Sequence, residues 1–240
     1  MAGALFFFLF LTLAVLWAAY GLALAWTGLR TKQLPWLTMG LGSMFLALAI
    51  GAVRGIAFDP IAWFTPVVNF RSAALILLLA ALFVLMLMSD RNKDAFPWLG
   101  KLQPFMSVAV VAMLFVLLTG ETRDYFEKDL HRLYFTVPQP DSNALIAGNQ
   151  NLKQLSLSGI WLLYSIGLMV YGFLRRMRLL RISAFVLFGF SILKIFIYDL
   201  SYLETLYRIF SFIGLGVILL VVSYLFTKYK DVVFGEEVRK

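Results

Sequence analysis

Few residues in this chain carry chemistry, and most of them gather in one stretch. Lys194 stands inside an apolar run, followed at i+4 by Tyr198 and then by Asp199. A short polar hairpin brings Glu204 and Arg208, again four apart. Charged side chains at membrane depth are rare, and they either pair with one another or line a cavity. An ammonium beside a carboxylate in such a cavity suits a polar or anionic ligand. A carboxylate at Asp199 or Glu204 that met a substrate would instead serve as general acid or base. Arg54 and Arg71 lie near the ends of earlier apolar runs and complete the set of candidate ligand-binding residues.

Each of these has a plainer reading. Ser201-x-x-Glu204 matches a capping box, in which the glutamate only satisfies backbone donors at a helix start. Glu204 and Arg208 make an ordinary i,i+4 pair. Arg54 and Arg71 sit close enough to span ends to snorkel to the interface. Lys194 is harder to explain away. It follows Arg181 by 13 residues, or about 20 Å of helix. That is past the middle of a hydrocarbon core about 30 Å thick. It should therefore face the bundle and find Asp199 or backbone carbonyls. Asp199 is five residues on, about 140° around an ideal helix, so the pair needs the helix to loosen there.

Other chemistries have no residues to support them. There are no cysteines, hence no disulfide and no thiolate ligand. His131 is the only histidine, which argues against a multi-histidine metal or haem site. G-x-S-x-G, a phosphate-binding loop and H-E-x-x-H are all missing. No catalytic residue, metal or cofactor is assigned.

The elements that position these residues are membrane spans. The chain has 240 residues, 62% hydrophobic and 14% charged, with a mean hydropathy of +0.87. Soluble domains are about a quarter charged. The apolar residues form runs of about 20, the length that crosses a bilayer. The predicted fold is all-α: a polytopic transmembrane helical bundle of about seven spans, forming a single transmembrane domain over residues 1–240. The spans run from about Ala4 to Leu29, Leu34 to Phe58, Arg71 to Met88, Pro104 to Thr119, Leu155 to Leu174, Ile182 to Tyr198 and Leu203 to Phe226. Ala14, Ala18, Gly21 and Ala25 give the first span small residues for close packing, and Gly51 and Gly55 do so for the second.

Charge orients the bundle. The turn with Arg175, Arg176, Arg178 and Arg181 belongs in the cytoplasm. Arg30 with Lys32, then Arg91, Lys93 and Lys101, then the C-terminal tail fall on the same side. The N-terminus is thus expected outside and the C-terminus in the cytoplasm. The net charge of +8 reflects these flanks and not a nucleic-acid surface. Residues 120–154 make an extracytoplasmic loop. Within it, Tyr125, Phe126, Leu130, Leu133 and Tyr134 share one face, as expected of an interfacial amphipathic helix over Glu121 to Phe135. Pro138, Pro140, Asn143, Asn149, Gln150 and Asn151 read as irregular.

The C-terminal third also carries a pattern: G-I-W-L-L-Y from Gly159, Leu180-Arg181, then Lys194-Ile-Phe-Ile-Tyr-Asp199. It continues as Leu206-Tyr207-Arg208-Ile209 and Ser211-Phe-Ile-Gly-Leu-Gly216, and ends Val222-Ser223-Tyr224. From Leu155 to Lys230 this resembles the end of the bacterial predicted membrane proteins labelled domain of unknown function 2339. Members are typically longer, so the chain resembles a short member or a C-terminal piece. The resemblance implies a bacterial cytoplasmic membrane and transfers no catalytic residues.

The leading expectation is a non-enzymatic protein that binds, or helps to move, a polar or anionic envelope ligand through an outward-facing polar cavity. A membrane enzyme acting on a lipid-linked or glycan substrate at the outer leaflet is the alternative. A purely structural module that packs with other membrane proteins is the third reading. Expected partners are the bilayer, such a ligand and other membrane proteins, with no nucleic acid.

Overall fold

The computed structural model describes residues 2–56, 65–136 and 142–199, together with helical positions between 213 and 228. Six helices occupy the first three segments: α1 Ala2–Thr31, α2 Leu34–Ile56, α3 Phe70–Arg91, α4 Pro97–Thr136, α5 Ser142–Leu174 and α6 Arg178–Ile197. Each is long and apolar enough to cross a membrane. The described positions between 213 and 228 are helical and belong to the expected seventh span. The chain is therefore an all-α, multi-pass membrane protein with six to seven apolar helices.

The helices form because the apolar runs leave backbone groups no partner in lipid except one another. They pack through small residues. Ala14, Ala18 and Ala25 of α1 are buried, and Ala25 lies against Gly40 of α2. A Cβ placed on Gly28 would meet the Leu37 nitrogen at 2.5 Å, and one on Gly40 would meet the Ala25 nitrogen at 2.5 Å. The α1–α2 seam is thus backbone against backbone, as the small-residue spacing predicts. The buried core of α1 to α4 includes Leu37, Met44, Leu75, Leu78, Leu85, Met113 and Val116. A smaller cluster, Leu168, Leu180 and Ala184, holds α5 to α6. Large apolar side chains such as Phe45 and Val186 point outward, which suits a lipid solvent.

Two of the basic turns, after α1 and after α5, are built alike. Lys32 and Arg176 both adopt the left-handed conformation, at φ 55° and 53°. In each case the next residue donates back to the helical carbonyl five positions earlier, Gln33 N to Gly28 O and Met177 N to Gly172 O. These are Schellman caps with a cation where glycine is usual. The positive charge complements the helix C-terminus.

The main departures from expectation lie in α4 and α5. Glu121 to Phe135 is helical, but it continues the fourth span without a break. At 40 residues α4 is about 60 Å long, twice the hydrocarbon core. Gly120 does not end the helix because it serves packing: a Cβ there would meet the Gly55 carbonyl at 3.2 Å. Positions 142–151, expected to be irregular, are the opening turns of α5. The two helices run antiparallel in a clear register. Tyr164 Oη donates to the Val111 carbonyl at 2.7 Å, Trp161 Nε1 to Thr119 Oγ1 at 3.0 Å, and Lys153 Nζ to Glu127 Oε1 at 2.7 Å.

Candidate functional site

Because consecutive helices alternate direction, one end of the bundle collects the basic turns and the other collects the internal charges. At this second, polar end α6 stops at Ile197, and Tyr198 is its C-cap. Leaving the helix swings Asp199 back toward the preceding turn. Lys194 Nζ donates to Asp199 Oδ1 at 3.0 Å. The same ammonium donates to Ser158 Oγ at 2.6 Å and to the Gln154 carbonyl at 3.4 Å, both on α5. The Trp161 and Tyr198 rings flank it at 5.6 and 5.7 Å, within cation–π range. The Lys194 and Asp199 side chains are 16% and 5% exposed, so Lys194 faces protein and not lipid.

Beside this pair lies a half-open recess of about 180 Å³ lined by Gln150, Asn151, Lys153, Gln154 and Tyr198. Its lining was largely missed from sequence, because residues 143–151 read as loop. The signal available was the run of amides, Asn149 to Asn151 and Gln154, around one lysine. Lys153 is held by Glu127 of α4, so the lysine in the recess and Lys194 beside it both already face a carboxylate.

A second charged cluster forms where α3 meets α4. Arg71 is buried at 1% exposure with Nη2 2.6 Å from Asp124 Oδ2 and 3.9 Å from Glu121 Oε1. Its guanidinium rests on the bare backbone of Gly120. Glu121 also accepts from Val67 N at 2.7 Å, from Asn69 Nδ2 at 2.7 Å and from Ser72 Oγ. This carboxylate ties the chain entering α3 to the middle of α4. Val67 pays a conformational cost there, with φ at 64°, and Val68 N donating to Pro66 O closes a γ-turn around it.

The candidate residues therefore do not form one cluster. Lys194, Tyr198 and Asp199 come together. Arg71 joins Asp124 and Glu121 instead. Arg54 lies over the Phe10 ring at 4.2 Å. Glu204 and Arg208, the capping box among them, lie outside the described residues. Thr119 links the two clusters: it accepts from Trp161, which flanks Lys194, and it precedes Gly120, on which Arg71 rests. Among the described residues, no group of three or more histidine or carboxylate side chains is placed to hold a metal ion.

No curated protein and no solved structure matches the chain. A family model does match, that of a predicted membrane protein family, DUF2339, over residues 36–229. The match starts at the beginning of α2, far ahead of the C-terminal pattern that starts near Leu155, so it takes in the Arg71 cluster as well as the Lys194 pair. On that match, the chain belongs to the predicted membrane protein family DUF2339.

Proposed function

We propose that this is a non-enzymatic protein of a bacterial cytoplasmic membrane, with its polar end facing outward, that binds or helps to move a polar envelope ligand. The observation that carries this reading is the amide-lined recess next to Lys194, Ser158 and Asp199. The basic turns at the opposite end support the orientation. The polar end would then lie in the extracytoplasmic space, N-terminus included.

The recess favours hydrogen bonding over charge. Gln150, Asn151 and Gln154 offer both donors and acceptors. Neither lysine presents uncompensated charge, so a polar neutral group suits the site better than a free anion. An enzyme reading has less to rest on. Glu121 and Asp124 converge, but on buried Arg71 and not on an open groove. The structural-module reading has a specific observation in its favour, since ion pairs close both clusters.

Titration calorimetry on the full chain in detergent micelles, with methyl glucoside, glycerol and inorganic phosphate as probes, separates these readings. Saturable binding of a hydroxylated probe that is lost in Gln150→Ala/Asn151→Ala supports the ligand site. Absence of saturable binding of any probe in a chain that also retains no hydroxylated lipid, or binding indifferent to that double substitution, leaves the structural module.

A further inference from the structure

The recess has a neighbour that a free solute would not use. Trp161 lies seven residues after Gln154 on α5, about 10 Å along the helix toward the membrane centre. Its ring stacks on Phe190 of α6 at 5.9 Å and packs against Phe115 of α4 at 5.3 Å. Phe190 is 55% exposed, and Leu193 and Ile197 continue the same open α6 face. Lys194 bridges the two regions, with Asp199 and Ser158 as polar partners and the Trp161 face as its apolar one. Tyr198, which lines the amide-rich recess, directly follows Ile197, so among the described residues the recess borders an exposed aromatic and aliphatic strip of α6.

We infer that the ligand is an amphiphile with a neutral, hydroxyl-rich headgroup on a hydrocarbon tail: a glycolipid, bound head in the recess and tail along Phe190, Leu193 and Ile197. This rests on the recess being a ligand site. Three observations converge on it. Carboxamides match sugar hydroxyls, since both donate and accept. The one lysine lining the recess, Lys153, faces Glu127, and Lys194 beside it faces Asp199, so a phosphate headgroup would have to compete with an existing partner. At about 180 Å³ the recess is smaller than the roughly 300–1,000 Å³ pockets that enclose free small molecules. A shallow headgroup site suffices when the tail already confines the ligand to the bilayer surface and raises its effective concentration.

The test uses the full chain in phosphatidylcholine nanodiscs with three probes: monoglucosyl diacylglycerol, phosphatidylglycerol of the same chains, and free methyl glucoside. Native mass spectrometry of the released protein counts retained lipid, and calorimetry follows the free glucoside. The glucolipid should be retained at least about tenfold over phosphatidylglycerol, a difference of about 1.4 kcal/mol. Gln150→Ala/Asn151→Ala should abolish that preference. Phe190→Ala should weaken glucolipid retention while leaving methyl glucoside unchanged. Leu193→Ala, on the same open face, provides a second variant if Phe190→Ala lowers thermal stability. Methyl glucoside binding as tightly as the glucolipid would overturn the amphiphile and leave the recess reading standing. Equal retention of phosphatidylglycerol would show an ordinary lipid contact and also overturn it. Binding of neither sugar probe would remove the recess reading itself.

Discussion

Arg71 Nη2 lies 2.6 Å from Asp124 Oδ2, with the two side chains 1% and 2% exposed. A buried pair of this kind is costly to break and cheap to replace as a unit. Removing one partner leaves an uncompensated buried charge, at about 3–5 kcal/mol, whereas apolar replacement of both is often neutral. Arg71→Leu should therefore lower stability by about that amount. Arg71→Leu/Asp124→Leu should recover much of the loss. Denaturant unfolding in detergent reads the difference, and a double variant as unstable as the sum of the singles would contradict the pairing.

Glu121 holds three donors from the chain entering α3. Glu121→Ala leaves them without their acceptor, so amide exchange at Val67 should accelerate while α1 and α6 keep their protection. Val67 itself has φ 64°, where a β-branched residue is strained. Val67→Gly should raise stability by about 1 kcal/mol, within the 1–3 kcal/mol that such conformations cost. A melting temperature lowered by Val67→Gly would mean that the side chain contributes packing its exposure does not suggest.

Glycines divide by what surrounds them. Gly28→Ala drives a methyl group into the Leu37 backbone and should cost about 1–3 kcal/mol by overpacking. Gly189→Ala meets nothing within 4 Å and should gain about 0.5–1 kcal/mol from helix propensity. If both changes had the same effect on thermal unfolding, the backbone-to-backbone α1–α2 seam would be wrong.

Orientation follows from impermeant thiol labelling of single cysteines in intact cells. Lys93, with an exposed side chain, and Asn143, exposed at the start of α5, are suitable positions at opposite ends. Asn143→Cys should label and Lys93→Cys should not. Labelling only at position 93 would invert the bundle and place the recess in the cytoplasm.

The spans were legible because apolar runs of membrane length have no other use in a chain of this composition. The Lys194–Asp199 contact was legible too, since a lysine at that depth needs a partner and the hairpin supplied a place for the helix to end. The length of α4 was not. Gly120 followed by Glu121, Arg123 and Asp124 looks like the exit from a membrane, and sequence does not reveal that Arg71 waits on α3 for those carboxylates. Arg71 carried the clue: an arginine at a span end that proves buried requires an acidic partner on a neighbouring helix. The recess was hidden for the same reason, because amides that read as loop are on helix α5.

The most direct test of the ligand site is photocrosslinking in living cells. A benzophenone side chain at Asn151, in the recess, is compared with one at Val53, exposed on α2. Mass spectrometry of the adducts should find a sugar-bearing lipid at position 151 and only bulk phospholipid at position 53. The same phospholipid adducts at both positions would contradict a specific headgroup site in the recess.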